Sequence, residues 1–82
     1  MQSLEEVKNL LADVLHLGPQ KETLMAESIL LGGLAELDSM AVINVITALE
    51  EHFGITIDDD EINGKTFETL GSLSAFVDSK LN

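Results

Sequence analysis

The stretch Leu37-Asp38-Ser39-Met40-Ala41-Val42-Ile43-Asn44-Val45-Ile46-Thr47-Ala48-Leu49-Glu50-Glu51-His52-Phe53-Gly54 decides how this chain folds. Between Ser39 and Phe53 it contains neither Gly nor Pro, and apolar residues dominate. Val42, Ile43, Ile46, Leu49 and Phe53 recur at helical spacing and predict one apolar face, with Asn44, Thr47 and Glu51 opposite. Val42, Ile43 and Val45 are β-branched and pull toward strand. A run of fifteen residues with a 3.6-residue period outweighs that preference. Asp38 supplies the side-chain oxygen that a helix start needs, and Gly54 the left-handed residue that ends one. The prediction is a helix over 39–53.

Outward toward the N-terminus, Gly18-Pro19 closes an earlier helical pattern in which Leu4, Val7, Leu10, Leu11, Val14 and Leu15 share a face. Ser3 and Glu6 read as a capping box at its start, giving a helix over about 4–17. Residues 18–37 form a long connection broken by Pro19, Gly32 and Gly33. Its Leu and Ile content pins it onto a core, and a short helical turn is expected around Ala26–Leu31. Toward the C-terminus, Ile55–Ile57 is a brief extended link. Asp58-Asp59-Asp60-Glu61-Ile62 predicts a short third helix with acids near its positive end, and Asn63-Gly64 a turn. Thr69 caps a last helix carrying Leu70, Leu73, Phe76, Val77 and Leu81 on one face. Gly71 weakens that helix locally without forbidding it. The expected fold is all-α: a small bundle of three main helices plus a short third one, with a long loop between the first two, forming a single domain over 1–82.

Composition narrows the function. A chain of 82 residues buries only roughly 60% of its unfolded surface. It has little room for a deep, water-excluded cleft, which weighs against an enzyme acting alone. Fifteen acidic residues stand against four Lys, a formal charge of −11. That field repels nucleic acid and anionic membrane, keeps a small domain soluble and attracts proteins with basic patches. The absence of Cys excludes disulfides and thiolate metal sites. The first residues do not read as a signal peptide, and no apolar run approaches the about 18 residues of a membrane span, so no membrane insertion and a cytoplasmic location are expected.

Candidate chemistry then falls away in turn. A calcium loop counted from Asp59 puts Gly64 at the required glycine but Leu70 where a bidentate Glu is needed, and counting from Asp58 fails earlier. His16 and His52 are not spaced as zinc ligands, and each suits a helix C-terminus. No G-x-S-x-G elbow surrounds Ser39 and no phosphate-binding P-loop exists. His52 lies thirteen residues beyond Ser39 on the same helix, about 20 Å away, too far to act as its base. What remains is Ser39 itself, an exposed hydroxyl at a helix N-terminus after a long loop. There the helix dipole and unpaired N–H groups favour a phosphodiester.

Leu37-Asp38-Ser39-Met40, followed by Ala48-Leu49-Glu50-Glu51-His52-Phe53-Gly54-Ile55, resembles the acyl carrier protein family over essentially the whole chain. The resemblance implies that Ser39 carries 4′-phosphopantetheine, transferred from coenzyme A by a phosphopantetheinyl transferase, and holds cargo as a thioester on the terminal thiol. Ser39 would be an attachment point and not a catalyst. Acidic positions of the second helix matching the family's docking residues are Asp38, Glu50 and Glu51. Met40 is a further docking position, and Ala41, Val42 and Asn44 after it are less acidic than in carriers of fatty acid synthesis, which implies a more apolar docking surface near the arm. Implied partners are the transferase, an acyl-loading ligase or synthetase, and acyltransferases or synthases with basic docking patches, visited by a monomer. Departures include Glu36, where many members carry Gly, and Met40 in place of Leu. Together with the similarity of Leu30–Met40 to carriers of exopolysaccharide or exosortase systems, they suggest a specialised member. Two alternatives share these features: a peptidyl or D-alanyl-type aminoacyl carrier, and an unmodified helical interaction module in which Asp38-Ser39 is only a cap.

Overall fold

The computed structural model describes residues 3–34 and 37–81. Three α-helices form the frame: α1 (Leu4–Leu15), α2 (Ser39–Phe53) and α3 (Leu70–Leu81). Two 3₁₀ segments, Gly18–Thr23 and Asp59–Glu61, lie between them. This is the expected all-α bundle, with the short third helix reduced to a single 3₁₀ turn. Glu36, where the family pattern has Gly, lies outside the described residues.

Each helix contributes a stripe to one core. Val7, Leu11 and Leu15 of α1 meet Val45 and Leu49 of α2 on one side, and Leu70, Leu73 and Val77 of α3 on the other. Leu17, Leu24, Leu30, Leu37, Ile57 and Phe67 come in from the connections. Phe67, near the entrance to α3, is the largest fully buried side chain. Each such Leu or Phe contributes about 1.5–3 kcal/mol relative to exposure.

The helix faces are rotated from the sequence expectation. In α2 the fully buried residues are Val45 and Leu49; Val42, Ile46 and Phe53 are half-buried, and Ile43, placed on the apolar face by spacing, stands 58% exposed. In α3, Phe76 is half-buried and Leu81 exposed, while Ser74 is fully buried. A helix with apolar residues on more than one face leaves its spacing pattern compatible with more than one orientation, and the neighbours choose.

The helix ends also differ. α1 stops at Leu15: His16 adopts the left-handed conformation (φ 55°, ψ 49°) and the Leu17 N–H donates to the Ala12 carbonyl at 3.0 Å, which turns buried Leu17 into the core. Pro19 then opens the 3₁₀ segment Gly18–Thr23, because its missing N–H is no loss in a first turn. Ser3 forms no capping box. Its hydroxyl donates to the Ser74 carbonyl at 3.1 Å, and its N–H donates to Asp78 Oδ1 at 3.1 Å, tying α1 to α3. The reciprocal cap occurs instead at Thr69, whose Oγ1 accepts from Ser72 N–H while Ser72 Oγ accepts from Thr69 N–H, both at 3.0 Å. Gly54 ends α2 in the left-handed conformation, as expected.

The expected helical turn around Ala26–Leu31 is absent. Residues 28–31 run antiparallel to 67–70: Leu30 N–H donates to the Glu68 carbonyl, Leu31 N–H to that of Phe67, and Leu70 N–H to that of Ser28, at 2.9–3.1 Å, around an Ile29–Thr69 bridge. Burial alternates accordingly, with Leu30 buried between exposed Ile29 and Leu31. Gly71 permits this docking. Its N–H reaches the Ala26 carbonyl at 2.7 Å, and a Cβ there would sit 2.9 Å from that oxygen. The long loop is therefore strapped to the start of α3, and its far end places Leu37 in the core two residues before Ser39.

Candidate functional site

Three local interactions hold the start of α2. Leu37 is buried, and its N–H donates to the Leu34 carbonyl at 3.1 Å. Asp38 is extended (φ −99°, ψ −175°), and its Oδ1 accepts from Ala41 N–H at 2.9 Å, the predicted N-cap. The Val42 N–H donates to the Asp38 carbonyl at 2.9 Å, closing the first turn. Ser39 is the first helical residue and is exposed, and among the described residues nothing bonds its hydroxyl. No described group accepts from the N–H of Ser39 or Met40 either, the usual state of a helix's first turn. Helix polarity and free N–H groups therefore suit an anion bonded to Ser39 Oγ.

The remaining predicted positions separate into two groups. Met40 (67% exposed), Asn44 and Glu51 lie on the outer stripe of α2 with Thr47, and Ile43 stands exposed beside them. Asp38 is exposed at the cap, and Ala41 is half-buried against the core. Glu50 is half-buried, and its Oε2 accepts from the Ile57 N–H at 2.9 Å, fixing the link that leaves α2. The exposed Ile43 was not legible as a surface residue: only its apolar character shows in sequence, and that pointed inward.

His52 sits at the opposite end of α2 from Ser39. Its Nε2 lies 3.5 Å from Glu6 Oε2 of α1, and its ring meets Phe53 edge-on with centroids 4.8 Å apart. The predicted exclusion of His52 as a base for Ser39 therefore stands: the two occupy opposite ends of α2. Elsewhere, Glu61 accepts from Lys80 Nζ at 2.5 Å and from the Asp58 N–H at 2.9 Å. The Lys80 hydrogen bond first, and that of Asp58 next, lower the Glu61 carboxyl below its usual value of 4.5. Lys80 also lies 5.9 Å from the Phe76 ring centre. This cluster joins the Asp59–Glu61 turn to α3.

An exposed serine on a capped helix start, in a small acidic helical domain, suits the anchoring of a phosphate-linked group. Residues 5–77 match the family model described as a phosphopantetheine attachment site. An acyl carrier protein of Thermosynechococcus vestitus is 33% identical over 81 residues, covering 95% of this chain and 90% of that protein. The solution structure of a holo acyl carrier protein from Nitrosomonas europaea superposes with a TM-score of 0.92 at 65% identity, covering 99% of this chain and 98% of that one. The chain belongs to the acyl carrier protein family. It is a carrier and not an enzyme, and its prosthetic group is 4′-phosphopantetheine, which supplies the thiol that bears the acyl thioester. Family membership implies dealings with a phosphopantetheinyl transferase and with acyl-handling enzymes, and sets aside an unmodified interaction module. No helix among the described residues is long and apolar enough to cross a membrane.

Proposed function

We propose that Ser39 is the residue that carries the 4′-phosphopantetheine, as a phosphodiester on its Oγ. The single observation behind this is its place: an exposed hydroxyl, without a protein partner among the described residues, on the first residue of a helix capped by Asp38. The N–H groups of the first turn would hold the phosphate of that diester. The protein's part is to hold the hydroxyl out for the transferase and to keep the arm's anchor rigid.

Partners dock along the outer stripe of α2, beginning at Asp38 and Met40 and running through Asn44 to Glu51. Ala41 and Glu50 contribute as residues that shape the stripe. Acidic ends with an apolar middle suit brief encounters, in which charge raises the rate and the apolar contacts choose the partner. The presence of Met40, Ile43 and Asn44 where a more acidic face is expected supports a specialised carrier, loaded by its own ligase or synthetase and read by a dedicated acyltransferase or synthase. It works as a monomer and a single domain in the cytoplasm.

Intact-protein mass before and after incubation with coenzyme A and a broad-specificity phosphopantetheinyl transferase tests the site. The wild type gains one phosphopantetheinyl group, and folded Ser39→Ala gains none. A gain by Ser39→Ala, or none by folded, unmodified wild type, would sink the assignment.

A further inference from the structure

The end of the bundle remote from Ser39 has a feature that carrying an arm does not require. Where α1 faces the last turn of α2, an open groove of about 140 Å³ is lined by Glu6, Asn9, Leu10, Asp13 and His52. That volume is below the range of small-molecule sites and suits one long side chain. Leu10 is half-buried and packs against the core, so the groove has an apolar component; Glu6, Asn9 and Asp13 are exposed beside it on the same helix. Asp13 has no ion-pair partner among the described residues, and Glu6 has only the 3.5 Å approach of His52. The surrounding chain carries a formal charge of −11.

From this we infer that the groove receives an arginine side chain of a partner protein, as a second docking point separate from the α2 stripe. The chemistry matches part by part. The methylene stem of arginine covers apolar surface such as Leu10 while its charged head stays at the rim. The guanidinium presents a planar fork of donors to carboxylates, here Glu6 and Asp13, and stacks on flat rings such as the His52 imidazole. Lysine satisfies only the charge. A nucleic acid or anionic lipid is repelled by the same carboxylates.

The position gives the site its use. His52 lies thirteen residues along α2 from Ser39, about 20 Å away. A protein held by this groove leaves the Ser39 end uncovered. Such a partner tethers the carrier while another enzyme works at the arm, a consequence that rests on Ser39 being the attachment residue; the groove itself does not.

The test uses the full chain, with N-acetyl-arginine amide as probe and the neutral N-acetyl-citrulline amide as control, followed by backbone amide NMR shifts. Saturable shifts centred on residues 6, 9, 10, 13 and 52 are expected with the arginine probe and not with citrulline. Glu6→Gln and Asp13→Asn each weaken binding about threefold, and the double variant roughly tenfold, with an unchanged spectrum elsewhere to report an intact fold. Shifts spread evenly over all acidic residues, an equal response to citrulline, or undiminished binding by the folded double variant would overturn the inference. So would concentration-dependent shifts of the same residues without probe, which would mean that a second copy of the chain fills the groove. Phosphopantetheinylation of the double variant, read by mass, stays at the wild-type level. Its loss would fault the separation from the Ser39 end, and loss in Ser39→Ala alone leaves the groove result standing.

Discussion

Glu50 and Glu51 are adjacent acids at the same end of α2, and the structure gives them opposite duties. The Glu50 carboxylate accepts from the Ile57 N–H at 2.9 Å, in a partly buried setting where Ile57 itself is buried. Glu51 is exposed. Glu50→Ala removes the acceptor and leaves the Ile57 donor unpaired. A partly buried amide stripped of a charged partner costs about 1.5–2 kcal/mol. An 82-residue domain has about 4–12 kcal/mol of stability in all, so the loss is a substantial share. It corresponds to a fall in Tm of about 6–16 °C. Glu50→Gln keeps a carbonyl acceptor of the same reach and should recover more than half of the loss. Glu51→Ala should stay within about 0.5 kcal/mol of wild type. Urea denaturation followed by circular dichroism measures all three. The acylation rate by a loading enzyme, measured on folded protein, should fall for Glu51→Ala through slower encounter. Equal stabilities for Glu50→Ala and Glu51→Ala, or a Glu50→Gln variant as unstable as Glu50→Ala, would refute the division of roles.

Leu49→Ala should cost about 2–5 kcal/mol, whereas Ile43→Ala should cost less than about 0.5 kcal/mol; urea midpoints at constant slope compare them, and a large Ile43 effect would mean that α2 is rotated from the face described. His16→Gly relieves a left-handed residue with a Cβ and should stabilise by about 0.5–1 kcal/mol, raising Tm by about 2–8 °C in a thermal melt. Because Lys80 and the Asp58 N–H lower the folded-state pKa of Glu61, their contribution is fully present above its usual value of 4.5 and is lost as pH falls through the lowered value. The stability difference between wild type and Lys80→Met, read from urea melts at stepped pH, should therefore shrink on acidification below about 4.5, and a difference that grows would reverse the assignment.

Much of this molecule is written in short-range pattern. The helices over 39–53 and 70–81, the Asp38 cap, the Gly54 stop and the exposed Ser39 depend on residues within a turn or two of one another, so spacing and capping chemistry suffice to find them. Ser39 stood out by elimination: no base, metal set or phosphate loop surrounded it, and what remained was a hydroxyl at a helix start. The tertiary structure alone decided which way α2, with apolar residues on more than one face, is turned, so that Val45 went inside and Ile43 out. It also sent the Ser3 hydroxyl to Ser74 rather than to its own helix, and it straightened residues 28–31 into register with 67–70. Each of these is a choice between locally acceptable options. Distant partners settled it: a carbonyl 71 residues along in sequence for Ser3, and the edge of the segment entering α3 for the loop. Local sequence names a residue's possible bonds, but only the packed chain brings the partner that satisfies a buried donor.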